Sequence, residues 1–330
     1  MEKKTLSEHL FSDLLVLDCA SFIAGPAAAT MLGDLGARVI KIEPPGGDGY
    51  RKLPRLPGMP HCDHNYPWRH TNRNKESLTL DLKTSDGQQQ LDELLARADV
   101  FITNYPKGVR EALGLVYGRV RDANPRIVYG SFTPYGEEGP QAGDTGYDAT
   151  AWWARSGLMD AIRASSDTPP AVSMPGMGDY MAANALYGAI VTALYRREKT
   201  GQGSRVGSSL MANGLWSNGV MIQAALDGAN TNRPRERSKV SAFTQPYRCA
   251  DERCFMLTVL PQVQERVWPL LAECCERPDW LADSRFATIE ARREHNGALM
   301  EDFDSVFRGL PCQEWEARFS RFGITIGRIA

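Results

Sequence analysis

The sequence predicts an α/β protein built on an open sheet, with a second, smaller region of different texture behind it. Three observations carry this. Short apolar runs alternate with helical stretches from Leu14 to Phe132. Glycine and proline mark the points where one gives way to the other. After a charge-dense stretch from Asp227 to Lys239 the alternation stops, and a hairpin with helices follows, which places a domain boundary there and divides the chain into 1–226 and 227–330.

Leu14 to Cys19 is a short apolar run and reads as a buried strand. Pro26 suits the first turn of a helix, and the alanine-rich stretch to Leu35 closes at Gly36. Arg38 to Glu43 is the next strand, which completes a βαβ unit. Such units make parallel sheets whose ligands lie beyond the carboxyl ends of the strands, so the loops after Cys19 and Glu43 are candidate contacts. Pro44 to Arg73 has little periodicity and reads as a long loop. Leu78 to Leu82 alternates as a strand, Ser85 to Ala98 reads as a helix and Val100 to Asn104 as a buried strand. Two short helices, 108–113 and 116–123, lead to a strand at Arg126 to Phe132. In the second region, Tyr247 to Cys249 and Cys254 to Val259 read as a hairpin about Asp251 to Arg253, before helical patterns at 262–275, 288–308 and 312–322.

Composition removes several functions. The 330 residues are 42% hydrophobic and 24% charged with net charge −2, so the chain has no general field for nucleic acid. The N-terminus is polar and no apolar run reaches the length of a membrane span, from which a cytoplasmic location is expected. Seven cysteines form no C-x-x-C pair, which fits reduced thiols with a packing role. His61, Cys62, Asp63 and His64 crowd three metal-ligand types into four residues, unlike a spaced finger, and no metal is assigned. Gly201 and Gly203 do not make a dinucleotide loop, because Val206 stands where a third glycine is needed.

The chemistry concentrates in Pro175-Gly176-Met177-Gly178-Asp179. Proline and two glycines predict a sharp turn just before the acid, and Met181 to Arg196 predicts a long helix just after it. Asp179 therefore sits near a helix start, where it can serve as an N-cap or as a carboxylate nucleophile beside backbone amides that would stabilise an oxyanion. The stretch alone leaves both open.

Several segments together resemble the family III CoA-transferases, the group of formyl-CoA transferase and carnitine CoA-transferase. They are Gly25-Pro26 with its helix, Gly36 to Pro44, Asn74 to Lys83, Asn124 to Tyr129, Tyr135-Gly136, Gly146-Tyr147-Asp148, Gly178-Asp179 and Lys199 to Gly203. The resemblance implies a Rossmann-like large domain that binds coenzyme A, a smaller α+β domain and an interlocked homodimer. It implies no permanently bound cofactor, with acyl-CoA as donor substrate and a carboxylic acid as acceptor. It places the catalytic aspartate at Asp179, which would pass through an aspartyl anhydride and an aspartyl-CoA thioester. It places coenzyme A contacts at Asn74, Lys75 and Asn104, with Lys41, Arg51 and Arg110 as helpers, and an acyl pocket at Ile23, Tyr147, Asp148 and Gly178.

The departures narrow this. Ile23 replaces the glutamine of formyl-CoA transferase and its glycine-rich loop has no counterpart between Ser241 and Pro261, so the match is nearer the 2-hydroxyacyl-CoA and phenyllactate branch. Tyr147 replaces the histidine that related acyl-CoA racemases use as a base, and a phenol with pKa near 10 ionises too rarely at neutral pH, which disfavours a racemase or isomerase. Relatives carry a segment returning to the large domain beyond the residues that match Phe322 to Thr325, whereas this sequence ends at Ala330. That keeps a silent CoA-binding protein as a further alternative.

Overall fold

The computed structural model describes residues 9–55, 59–165, 167–172, 174–231 and 236–330. The polar start, 1–8, and Arg233 to Arg235 of the charge-dense stretch lie outside the described residues. The chain divides into two compact units, 1–162 with 170–230 and 163–169 with 231–330. The division after residue 230 falls four positions beyond the sequence boundary, and a short insert groups with the second unit.

The first unit runs β1 (Leu15–Asp18), α1 (Ala24–Asp34), β2 (Arg38–Glu43), α2 (Tyr66–Asn72), β3 (Lys75–Thr79), α3 (Ser85–Leu95), β4 (Val100–Thr103), α4 (Lys107–Ala112), α5 (Tyr117–Ala123), β5 (Val128–Thr133), α6 (Leu158–Ala161), α7 (Met177–Thr200), β6 (Ser204–Ser209), α8 (Leu210–Ser217) and α9 (Gly219–Leu226). Its six strands are all parallel, in the order β3-β2-β1-β4-β5-β6. The strand order reverses between β1 and β4, the place where open α/β sheets receive ligands.

Both faces of this sheet are covered, which explains why its strands read as continuous apolar runs. Val16, Val39, Val100 and Val128 face Ala28, Ala183, Leu186 and Ile190 of α1 and α7. Their neighbours Leu17, Ile40 and Phe101 face Leu91, Leu95 and Val120 on the other side. Gly130 lets α7 approach β5, since a Cβ there would stand 3.0 Å from the Ile190 Cδ1.

The second unit contains β7 (Thr244–Arg248), β8 (Cys254–Thr258), α10 (Gln264–Cys274), α11 (Asp279–Ala282), α12 (Ile289–Glu294), α13 (Asn296–Phe307), α14 (Cys312–Arg321) and β9 (Ile326–Arg328), with an antiparallel sheet ordered β7-β8-β9. Its core is aromatic: Trp268 stacks on Trp280 at 5.6 Å, and Phe303 and Phe307 meet Tyr247 edge-on. Such contacts add about 0.5–1.5 kcal/mol each beyond burial.

Four elements differ from the sequence expectation. The long loop contains α2, capped by the Asn65 side chain accepting from the Trp68 amide. Strand β3 starts three residues earlier than predicted and ends at Thr79. The predicted 288–308 helix breaks at His295 into α12 and α13. Residues 326–328 add a third strand to the hairpin. Among the described residues no helix is long and apolar enough to cross a membrane. All seven cysteines are free, and five of them are buried.

Candidate active site

Helix α7 begins four residues before the predicted start. Gly176, at φ +76°, is its N-cap residue, so Asp179 is the third residue of the first turn and makes no capping hydrogen bond. The N-cap alternative is thereby corrected: a glycine able to adopt positive φ occupies that role. No hydrogen bond of any kind engages the Asp179 side chain among the described residues. Burial first, and the charge of Asp148 second, push its carboxyl up to about 7.

Asp148 opens a π-helical turn, Asp148–Ala154, with an Arg155 amide reaching back to the Thr150 carbonyl at 3.1 Å. Such turns concentrate at functional sites. Its carboxylate is buried with neither oxygen in a hydrogen bond of normal geometry. Burial raises its pKa, and the nearby Gly178 and Gly176 amides pull the other way. Trp152 of the same turn lies on Gly178, where a Cβ would come within 2.4 Å of the indole. Ile23 is on the other flank, its Cδ1 3.0 Å from a Cβ placed on Gly176. Ile23, Asp148, Gly178 and Asp179 thus converge on the head of α7. Tyr147 is 74% exposed.

Sequence reasoning missed three aromatic neighbours. Tyr50 and Tyr180 are coupled through their hydroxyls and both feel the Asp179 charge. Phe22 has φ +61°, is half exposed, and its ring centre lies 6.0 Å from that of Tyr50. A bulky residue in the left-handed region marks local strain. The loop is held by two 2.7 Å bonds between Ser21 and Asn104, and by Asp48, whose Oδ1 accepts from the Ser21 hydroxyl and the Tyr50 amide, each at 2.9 Å. Nothing in the sequence pattern around Phe22 signals a positive φ.

The predicted coenzyme A contacts do not gather into one surface. Lys75 is buried and its ammonium donates to Asp18 Oδ2 at 2.8 Å, the Pro26 and Thr71 carbonyls at 2.7 Å and Asn72 Oδ1 at 3.2 Å. Burial lowers its pKa to about 8 against the pull of Asp18. Lys41 is equally buried, bound to the Ala20 carbonyl and 3.2 Å from Asp48 Oδ2. An ammonium has three hydrogens, so Lys75 has none left for a phosphate, and its reading as a phosphate contact is corrected. Asn74, at φ +60°, bonds Asp34 at the amino edge of the sheet, opposite the edge where ligands bind. Arg110 is buried against Glu137 in a bidentate pair of 2.9 and 2.7 Å. Arg51 pairs with Glu43 and lies 3.7 Å over the Trp68 ring. Burial raises Glu43, but Arg51, the Asp48 amide and Ser77 outweigh it and hold the carboxyl at about 2. Asn104 clasps the β1 loop as described.

The predicted ligand loops do line a cavity of 60 Å³ beside the strand-order reversal, formed by Cys19, Glu43, Pro44, Leu82, Lys83 and Tyr105. Lys83 is exposed and forms no ion pair among the described residues. His61 to His64 are exposed.

A parallel six-stranded sheet in this order, a small cavity at its reversal point and an unpartnered carboxyl at a glycine turn define an α/β enzyme with acid chemistry. The CoA-transferase family III model matches residues 11–330, and the chain belongs to that family. It is 33% identical to the (R)-2-hydroxy-4-methylpentanoate CoA-transferase of Clostridioides difficile, covering 97% of this chain and 79% of that one. It is 34% identical to the cinnamoyl-CoA:phenyllactate CoA-transferase of Clostridium sporogenes, covering 96% and 80%. A CAIB/BAIF family protein from Brucella suis superposes with TM-score 0.83 at 27% identity, covering 96% of this chain and 83% of that one. The protein is a CoA-transferase, an enzyme that uses acyl-CoA as a substrate and moves coenzyme A between acyl-CoA and acids.

Proposed function

We propose that Asp179 is the nucleophile of this transfer. Its carboxylate attacks the donor thioester carbonyl, the C–S bond breaks and a mixed anhydride and CoA thiolate form. The thiolate then attacks the aspartyl carbonyl and releases the donor acid, leaving an aspartyl-CoA thioester. The acceptor carboxylate attacks that thioester to make a second anhydride, and the thiolate resolves it into the new acyl-CoA and free Asp179. The observation that carries this is the Asp179 carboxyl, which has no hydrogen-bond partner yet sits on the first turn of a helix among converging pocket residues. Amides of that turn offer the donors an oxyanion needs. Ile23 and Trp152 supply apolar walls, which suits donors and acceptors larger than formate and agrees with the acids named for the hydroxyacyl and phenyllactate relatives. The working form is a cytoplasmic homodimer without a resident cofactor.

Trapping tests the nucleophile. Acyl-CoA followed by hydroxylamine should leave a hydroxamate on Asp179, mapped by peptide mass, and Asp179→Ala should lose CoA exchange by about three orders of magnitude or more. A variant that exchanges CoA at the normal rate sinks the assignment.

A further inference from the structure

The second unit holds a cavity of 400 Å³ that the transfer reaction described above does not use, walled in part by Ser241, Phe243, Pro261, Gln264, Arg293 and Asn296. Gln264 is the first residue of α10 and only 5% exposed. Its carboxamide hydrogen-bonds no described residue. Its polar atoms are not sealed off, and the space they border is the cavity.

Several other polar groups of the wall already have partners. Asn296 donates to the Ser238 and Val240 carbonyls at 2.9 and 3.0 Å and accepts from the Ala242 amide at 2.8 Å, so it builds the wall. Arg292 donates two of its nitrogens, to the Phe286 carbonyl at 2.7 Å and to Glu265 at 2.8 Å, while its buried Nε has no hydrogen-bond partner. Lys239 pairs with Glu236 at 2.7 Å. Arg293 alone of these cations forms no ion pair among the described residues. One unmatched guanidinium, one unpaired carboxamide and the positive end of α10 face an apolar lining of Phe243 and Pro261.

We propose that this cavity is a second ligand site, for a small monocarboxylate with an apolar body. The planar guanidinium of Arg293 matches a carboxylate fork, and Gln264 supplies a donor beside it. A single uncompensated cation suits one negative charge and not the several of coenzyme A. The volume lies within the range of small-molecule sites. The proposal does not depend on which residue is the nucleophile.

The test is calorimetric titration of the full chain with 3-phenylpropanoate, in parallel with inorganic phosphate and with coenzyme A. The carboxylate should bind saturably to the Asp179→Ala protein, which keeps this cavity while altering the catalytic centre. Arg293→Glu, an exposed position, should weaken that binding by about tenfold or more, and Gln264→Leu should weaken it in the same direction. Affinity unchanged in Arg293→Glu, or no saturable carboxylate binding, overturns the proposal. So does phosphate or coenzyme A displacing the carboxylate from the Asp179→Ala protein at lower concentration than the carboxylate itself needs.

Discussion

Asp179 and Asp148 place two carboxyls in one poorly solvated corner, and the charge of Asp148 adds to burial in raising Asp179. The proposed nucleophile acts as its ionised form, so kcat/KM should rise with pH through an acid limb near 7, and Asp148→Asn should move that limb to lower pH by removing the like charge. A limb that stays put in Asp148→Asn refutes the coupling. The stability sign runs oppositely. A raised folded pKa means the unfolded chain ionises first, so the wild type loses stability from about pH 4 up to about pH 7. Asp179→Asn should therefore be more stable than the wild type at pH 8 and not at pH 3, by roughly 1–4 kcal/mol after screening at this partly exposed group, read by denaturant melts. Lys41 and Lys75 illustrate the opposite use of charge, since each is consumed by Asp18, Asp48 or carbonyls in the interior.

The head of α7 and the π-helical turn form one packed element pair. Gly178→Ala gains about 1 kcal/mol of helix propensity but drives a methyl to within 2.4 Å of Trp152. Overpacking costs about 1–3 kcal/mol, so the variant should melt lower and turn over more slowly. Gly188→Ala, in the same helix with nothing within 4 Å, should instead gain stability and leave turnover unchanged, which makes it the control measured beside it. At this scale the apolar strands were readable because both sheet faces are covered, whereas α2 was not. Its seven residues make about two turns, too few for an apolar stripe to repeat, and the local signal is Asn65 two positions before Pro67. The π-helical turn left no signal, because one extra residue in a turn changes no composition.

On the whole molecule, α8 and α9 carry Trp216, Val220 and Leu226 at 85, 83 and 76% exposure. A run of large apolar residues on adjacent helices is what a buried subunit interface looks like when one copy is viewed alone. The homodimer expectation thus becomes a measurement: the wild type should sediment as a dimer, and Trp216→Glu with Val220→Glu should shift it toward monomer. A wild type that sediments as a monomer at micromolar concentration removes that expectation. The chain spans about four-fifths of the length of the curated relatives it matches.

The sequence by itself determined the parallel sheet, the strand ends at which a small cavity lies and the candidacy of Asp179. All three depend on local period, turn chemistry or motif order. Only the tertiary structure decided which polar groups were already occupied. Lys75 meets Asp18 across 57 positions, and Asn104 meets Ser21 across 83. A lysine bound for a phosphate and one bound for a buried aspartate have the same neighbours in sequence. Their fates differ through desolvation and partners that only folding brings together.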